Sequence, residues 1–168
     1  MFVEGKVQSI LACERLVLNC MQRMSGIATY TNFLVQKISG TNAKLLDTRK
    51  TTPNFRLLEK EAVKIGGGTN HRFGLYDMIM LKDNHIDYAG GIKSAILKAQ
   101  AYLADNNFDL AIEVEVRNFD ELQQAMEVGG IQRIMLDNFS PENMSEAVKM
   151  VNGQFPLEAS GGITESNI

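Results

Sequence analysis

Short apolar runs alternate with amphipathic segments along most of the chain, and this alternation predicts the fold. Runs of strand character, apolar nearly throughout, lie at 43–46, 78–81, 111–116, 133–136 and 156–159. Apolar residues at helical spacing predict helices near 55–63, 91–103, 120–128 and 141–151. Buried strands separated by helices indicate a parallel sheet covered by helices, either as a barrel or as an open doubly wound sheet.

Helical patterns also precede this series. Apolar residues recur at helical spacing over 8–24, and a second helix is expected over 28–38, with Gly40 just past its end. Local signals support later boundaries, because Ser140-Pro141 supplies a cap and a first-turn proline and Asn118 or Asp120 can cap the helix before it. Thr164-Glu165 reads as one more helix start.

Composition narrows the class of protein. The chain has 168 residues, 45% of them hydrophobic and 22% charged, which fits one globular domain. Its net charge of −3 argues against broad binding to nucleic-acid phosphates. Cys13 and Cys20 are expected to be reduced core thiols. With no membrane-spanning run and no signal-like N-terminus, a cytoplasmic protein is expected.

Cationic and imidazole side chains gather in three short clusters, at 47–53, 70–75 and 81–85, and both histidines lie within them. A zinc site would need more His, Cys or carboxylate ligands at short spacing. A small anionic ligand fits better, because Arg49 and Arg72 offer planar forks and Lys82 a point charge. The alternative for any one of these cations is an ordinary surface charge.

Two carboxylates interrupt the run at 111–116. Glu113 and Glu115 alternate, so they point to the same face of the expected strand. A salt bridge to a structural lysine or arginine is one interpretation of each. The other is that Glu115 and Asp137, on neighbouring strands, provide oxygens to Mg²⁺ directly or through water.

Two glycine-rich segments allow different interpretations. Ser160-Gly161-Gly162 follows a strand and can present backbone N–H groups to a phosphate ahead of a helix, or can simply be a tight turn. Gly66-Gly67-Gly68 does not match the dinucleotide-binding spacing, since His71 occupies the last glycine position, and is expected to allow close backbone approach.

These motifs, in this order, resemble the quinolinate phosphoribosyltransferases of NAD biosynthesis. The resemblance runs from about Gly5 to the C-terminus. It is carried by the following segments: 14–15, 25–29, 47–53, 66–68, 70–72, 82–85, 113–116, 136–139 and 159–163.

The resemblance implies a reaction. The ring nitrogen of quinolinate attacks C1 of phosphoribosyl pyrophosphate, pyrophosphate leaves, and the 2-carboxylate is lost as CO₂, giving nicotinate mononucleotide. It also implies the residue roles: Arg49, His71, Arg72 and Lys82 hold the quinolinate carboxylates, Lys50 the phosphoribosyl substrate, Glu115 and Asp137 the ribose hydroxyls and Mg²⁺, and Ser160, Gly161 and Gly162 the 5′-phosphate. Lys50, Lys82, Glu115 and Asp137 are the predicted catalytic residues.

The family pattern also sets the expected domain organisation. Residues 1–40 form a helical lead-in and 41–168 an incomplete α/β barrel of parallel strands that lacks its last strand, while the family's N-terminal sandwich domain is absent. The resemblance implies a homodimer or higher homo-oligomer of the full-length protein, in which the partner's N-terminal domain closes the site. Without that domain and the last strand, little or no activity is expected of the chain alone. Asn54 stands where many relatives have glycine, with little effect expected because asparagine tolerates positive φ.

Two alternatives stay open beside the transferase. One is a non-catalytic fragment that binds anions without turnover. The other is the related family associated with molybdate uptake, which shares the barrel. The Lys82–His85 and Asn70–Arg72 clusters favour the quinolinate enzymes.

Overall fold

The computed structural model describes residues 3–168. Its elements are, in chain order: α1 Val7–Lys37, α2 Arg56–Ile65, β1 Ile79–Leu81, α3 Asp83–Ala89, α4 Ile92–Asp105, β2 Ile112–Val116, α5 Phe119–Val128, β3 Arg133–Asp137, α6 Pro141–Val151 and β4 Leu157–Ser160. The chain divides into two compact units, Met1–Phe73 with Ile168, and Gly74–Asn167. No helix within residues 3–168 is long and apolar enough to cross a bilayer.

The first unit is built on one long helix. The prediction of two helices over 8–24 and 28–38 was wrong, since α1 continues through Gly26. One glycine costs a helix only about 1 kcal/mol relative to alanine, so Gly26 weakens this helix without ending it. The helix ends at a cap on Ile38, and Gly40 lies beyond it with φ +90°, so the prediction of a nearby glycine stop was right to within a residue.

Close packing between α1 and α2 depends on the triple glycine. A Cβ on Gly66 would lie 2.5 Å from the Ala28 carbonyl oxygen, and one on Gly68 would lie 2.7 Å from Cγ1 of Val63. Contacts this short cannot be relieved by small shifts of a side chain alone. The steric interpretation of Gly66-Gly67-Gly68 is therefore confirmed.

Two other predictions for the first unit need correction. The run at 43–46 forms a single parallel bridge, between Leu46 and Thr69, and not a strand. Both cysteines are free, as expected, but Cys13 is exposed and Cys20 half-buried. Leu11 and Leu16 on the same part of α1 are also exposed, so this half of the helix provides no core for a thiol.

The second unit contains a parallel sheet in the strand order β1-β2-β3-β4. Glu113 pairs with Arg133, and Met135 pairs with Glu158, which fixes the register of the three strands after β1. Each crossover runs through helices, as parallel strands require. Within the described residues the sheet does not close on itself, which confirms an α/β fold with an incomplete barrel.

One face of this sheet forms the core. Ile112, Val114, Val116, Ile134 and Leu136 are nearly inaccessible and pack with the apolar stripe of α4 and with α5 and α6. Asn118 caps α5 by accepting a hydrogen bond from the Glu121 amide, and Ser140 caps α6 in the same way from Asn143. These caps confirm the sequence prediction.

One helix in the second unit was missed and one was predicted wrongly. No element was predicted directly after β1, where Asp83–Ala89 forms α3. The expected helix start at Thr164-Glu165 is a turn, in which Asn167 Oδ1 accepts a 2.6 Å hydrogen bond from the Thr164 amide. A threonine followed by an acidic residue is typical of turns as well as of helix starts. In both structures, nearby backbone amides lack a backbone partner, and a side-chain oxygen can accept their hydrogen bonds.

Candidate active site

The second face of the sheet is polar, and it carries the candidate residues of the second unit. Because paired residues of parallel strands point to the same side, Glu113 and Glu115 share a face with Arg133, Asp137 and Ser160. Val114, Ile134 and Leu136, which alternate with these residues along β2 and β3, point to the core. Alternation along short strands thus separates a core from a charged surface.

Lys82 and Glu115 form an ion pair on this face, with Lys82 Nζ 3.4 Å from Glu115 Oε2. Strand β2 buries Glu115, while Lys82 follows the last residue of β1 and keeps 44% of its side chain exposed. The Lys82 amide donates to His85 Nδ1 at 3.0 Å, which holds the start of α3 against the end of β1. The structure thus brings together two of the predicted catalytic residues.

Glu113 has a structural ion pair. Arg133 Nη1 lies 3.9 Å from Glu113 Oε2 and 3.1 Å from Glu158 Oε2, so one guanidinium lies between carboxylates of the two flanking strands. The salt-bridge interpretation is confirmed for Glu113. Arg133 and Glu158 were missed at first, although their alternation with apolar neighbours was a usable signal.

Asp137, at the end of β3, lies beside Ser160 of β4. Asn138 connects the two strand ends, because its amide donates to the Ser160 carbonyl at 2.8 Å and its side-chain nitrogen donates to Asp137 Oδ2 at 3.0 Å. Asn138 has φ +55°, which turns the chain away directly after the carboxylate. The Asp137 side chain is therefore oriented by its own neighbour.

Gly161 and Gly162 continue the turn, with φ +79° and +69°. A Cβ on Gly161 would collide with the Asn138 carboxamide, whereas a Cβ on Gly162 has no neighbour within 4 Å. The segment after them forms a turn and not a helix, so the expected helix dipole at this phosphate cradle is not supported. Any anion here would depend on the Ser160 hydroxyl and backbone amides.

The carboxylates of this face suit Mg²⁺ better than a softer metal. Glu115 and Asp137 offer hard oxygen ligands, which is the donor type that Mg²⁺ prefers. Glu115 is already paired with Lys82, so its negative charge is partly neutralised. The donor set therefore fits an ion that keeps much of its water and uses substrate oxygens.

In the first unit, Arg49 and Lys50 lie on the segment between the Leu46 bridge and α2. Lys50 is exposed, and its amide donates to Thr48 Oγ1 at 3.0 Å. The Arg49 Nε donor is buried and has no hydrogen-bond partner among residues 3–168. Buried donors are nearly always satisfied in folded proteins, so the Arg49 Nε donor is chemically able to bind an anion.

Glu59 of α2 fixes the end of this segment. Its carboxylate accepts from the Thr52 amide at 3.1 Å and from Arg23 Nη2 at 2.7 Å. Burial raises the pKa of Glu59, but the hydrogen bonds from Arg23 and Thr52 outweigh it and leave the pKa below its ordinary value. The loop thus ends at an ionised, hydrogen-bonded glutamate.

His71 and Arg72 depend on a buried ion pair between Asp47 and Lys60, whose side chains are 7% and 2% exposed. Asp47 Oδ1 accepts from the backbone amide of His71 at 2.8 Å. The side-chain nitrogen of Asn70, oriented by its hydrogen-bond partners, donates to Asp47 Oδ2 at 2.8 Å. Sequence reasoning missed Lys60; a lysine on the apolar side of a short helix was the available signal.

The predicted site residues therefore divide between the two units. The first unit contains Arg49, Lys50, His71 and Arg72, and the second contains Lys82, Glu115, Asp137, Ser160, Gly161 and Gly162. Within the second unit the ends of all four strands contribute to one polar edge. Ligands of parallel α/β proteins bind at such strand ends.

Comparison with known proteins identifies the family. Residues 27–168 match the model of the quinolinate phosphoribosyl transferase C-terminal domain. The chain is 45% identical to quinolinate phosphoribosyltransferase (decarboxylating) 1b of Nicotiana tabacum, over 96% of this chain and 50% of that protein. It is also 45% identical to the probable nicotinate-nucleotide pyrophosphorylase (carboxylating) of Bacillus subtilis, over 96% of this chain and 55% of that protein.

Solved structures similar to this chain point to the same family. NadC from Streptococcus pyogenes matches with a TM-score of 0.87 and 46% identity, over 95% of this chain and 55% of that one. The nicotinate-nucleotide pyrophosphorylase from Francisella tularensis matches with a TM-score of 0.88 and 49% identity, over 96% of this chain and 56% of that one. The chain spans about half the length of these relatives. The sequence match and the shared fold together show that the chain belongs to the quinolinate phosphoribosyltransferase family.

Proposed function

We propose that this chain carries the site at which quinolinate and phosphoribosyl pyrophosphate react to give nicotinate mononucleotide, pyrophosphate and CO₂. The observation that carries the proposal is the grouping of Lys82, Glu115 and Asp137 on one polar sheet face, beside the Ser160 strand end. An anionic aromatic acid and a sugar phosphate both need cations, and the developing positive charge on the sugar needs carboxylates. This face offers both kinds of group.

The quinolinate half of the proposal is supported by the cations of the family's motifs. Arg49, His71, Arg72 and Lys82 are assigned to the two carboxylates of quinolinate. The buried Arg49 Nε supports this assignment, because it is a strong donor with no partner among residues 3–168. Hydrogen bonds to charged groups contribute about 1.5–3 kcal/mol each, so two or three such contacts are enough for selective binding.

The phosphoribosyl half depends on Lys50, Glu115, Asp137 and the Ser160–Gly162 turn. Lys50 is assigned to the phosphates, Glu115 and Asp137 to the ribose hydroxyls, and the turn to the 5′-phosphate. Mg²⁺, when bound with the substrate, would neutralise charge on the departing pyrophosphate. The Lys82–Glu115 contact supports a coupled arrangement, since a cation for one substrate pairs with a carboxylate for the other.

The two chemical steps of the reaction need few further catalytic groups. The quinolinate nitrogen forms a bond to C1 as the bond from C1 to the pyrophosphate oxygen breaks, and Glu115 or Asp137 stabilises the positive charge that develops on the sugar. The resulting pyridinium ring accepts the electron pair of the bond to the 2-carboxylate, CO₂ leaves, and the ring carbon takes up a proton. No further cofactor is needed.

Supply of both substrates with Mg²⁺ to the full-length protein tests the proposal, because little or no activity is expected of the chain alone. Nicotinate mononucleotide and CO₂ should form in equal amounts, and quinolinate should be preferred over other pyridine or purine bases. Quinolinate binding without product would favour the anion-binding alternative. A preference for another base would favour the relatives associated with molybdate uptake.

Assembly and location are finer parts of the proposal. We propose a homodimer or higher homo-oligomer of the full-length protein, supported by the exposed apolar residues Leu11 and Leu16 of α1. Sedimentation of the full-length protein would measure it. A cytoplasmic location stays a prediction, because the names of relatives include chloroplastic and mitochondrial proteins.

A further inference from the structure

Two cations on one face of α2 connect the two segments that carry the predicted quinolinate ligands of the first unit. Lys60 Nζ pairs with the Asp47 carboxylate and donates to the His71 carbonyl at 3.0 Å. Arg56 Nη2 donates to the Arg49 carbonyl at 3.2 Å, and its Nη1 donates to the Phe73 carbonyl at 3.1 Å. Each cation therefore touches both segments.

These contacts occur in sequence order along the two segments, residues 45–49 and residues 69–73. Backbone hydrogen bonds join the segments first, from the Thr69 amide to the Leu45 carbonyl at 2.8 Å and from the Asp47 amide to the Thr69 carbonyl at 3.2 Å. Further along, Lys60 links residues 47 and 71, and Arg56 links residues 49 and 73. The two cations are one helical turn apart on α2, and their partners are two residues apart along each segment.

We propose that Arg56 and Lys60 are positioning residues that set the separation between Arg49 and the His71-Arg72 pair. The proposal rests on the proposed function, which assigns Arg49, His71 and Arg72 to the carboxylates of quinolinate. Arg56 and Lys60 donate to protein carbonyls, to the Thr51 hydroxyl and to Asp47, so they act through the ligands and not on the substrate. A dicarboxylate is selected by the distance between its cationic partners, and that distance is set by these two side chains.

Lys60 also determines how His71 is presented. The His71 carbonyl is held by Lys60 and its amide by Asp47, so the backbone on both sides of the ring is fixed. The Arg72 amide donates to His71 Nδ1 at 2.7 Å, which leaves Nε2 as the ring nitrogen that can donate a hydrogen bond. We call the contacts of Arg56 and Lys60 with the two segments the clamp. The clamp thus orients His71 Nε2 as a donor of the kind that a carboxylate accepts.

Four variants of the purified chain test the proposal. Arg56→Gln and Lys60→Met each remove one of the two cations that contact both segments. Arg56→Lys keeps the charge but not the planar fork, and Lys64→Met is the matched control. Lys64 lies one turn after Lys60 on the same helix, is 55% exposed and pairs only weakly with Glu61 at 3.4 Å. Amide hydrogen exchange and quinolinate titration are measured on each.

The proposal predicts that the Asp47, Thr69 and His71 amides exchange about tenfold or more faster in Arg56→Gln and Lys60→Met. The amides of Glu59 in α2 and of Gly66 at its C-cap should keep their protection. Quinolinate affinity should fall by about tenfold or more in the same variants, with partial recovery in Arg56→Lys. Lys64→Met should change neither quantity. If Lys60→Met loses the protection of α2 as well, Arg56→Gln decides alone, because Arg56 is only half-buried.

Unchanged exchange at Asp47, Thr69 and His71 in Arg56→Gln would overturn the clamp. Faster exchange with unchanged quinolinate affinity would overturn the positioning role. If the unsubstituted chain does not bind quinolinate, the proposed function fails, yet the exchange data still decide whether Arg56 and Lys60 hold the two segments.

Discussion

The carboxamide of Asn138 occupies the space beside Gly161 where any other residue would place its Cβ. A hydrogen bond holds the Asn138 carboxamide in this position, because its nitrogen donates to Asp137 Oδ2 at 3.0 Å. Strand ends β3 and β4 are thus fitted to each other by one asparagine and one glycine. A carboxylate and a candidate phosphate cradle depend on that fit.

Gly161→Ala is expected to destabilise the chain more than Gly162→Ala. Both residues have positive φ, which costs alanine about 1–2 kcal/mol, but only Gly161 faces Asn138, and overpacking adds about 1–3 kcal/mol. Urea unfolding measures the difference. Equal losses for the two variants would show that Asn138 moves aside freely.

Lys82 and Glu115 should be coupled energetically. Lys82→Met leaves the buried Glu115 carboxylate without its cation, so it should lower the free energy of unfolding more than the double variant Lys82→Met/Glu115→Gln. A double-mutant cycle in urea is expected to give a coupling of about 0.5–2 kcal/mol, since Lys82 is partly exposed. Additive effects would contradict a contact between the two side chains.

Glu59 should make stability depend on acid pH. Its pKa is lowered in the folded chain, so its contribution is complete above the unfolded value of about 4.3 and is lost as the pH falls through the lower, folded pKa. Glu59→Gln should reduce the free energy of unfolding by about 1–2 kcal/mol at pH 7 and flatten its fall in acid. The exposed Glu61→Gln is the control. A parallel acid profile in Glu59→Gln and the unsubstituted chain would contradict this.

Asp137→Asn tests the predicted Mg²⁺ carboxylate without changing the shape of the side chain. We expect the Mg²⁺-dependent gain in phosphoribosyl pyrophosphate affinity to shrink by about tenfold or more, because Mg²⁺ prefers charged oxygen ligands. Quinolinate binding should change little. An unchanged Mg²⁺ response in calorimetric titration would remove Asp137 from the set of metal ligands.

Elements with a strong local signal were predictable from the sequence. The caps at Asn118 and Ser140 and the alternation of Glu113 and Glu115 with apolar neighbours are properties of a few adjacent residues. Asn54 was expected to tolerate positive φ and has φ +61°. These predictions held because the physics behind them is local.

The errors have a common cause in tertiary contacts. Thr69 pairs with Leu46 at a single bridge, which no local pattern reveals, and Lys60 is buried because Asp47 lies next to it in space and not in sequence. The placement of Arg133 between Glu113 and Glu158 likewise depends on strand register. Motif resemblance could name candidate binding residues, but not the residues that contact their backbone, such as Lys60 at the His71 carbonyl.

The most direct test of the account is calorimetric titration of the folded chain with quinolinate, beside Arg72→Ala. Saturable binding is expected for the unsubstituted chain, with a loss of about 1.5–3 kcal/mol in Arg72→Ala and little change in its phosphoribosyl pyrophosphate affinity. Absence of quinolinate binding by a folded chain, or equal losses for both ligands in Arg72→Ala, would contradict the assignment of this site.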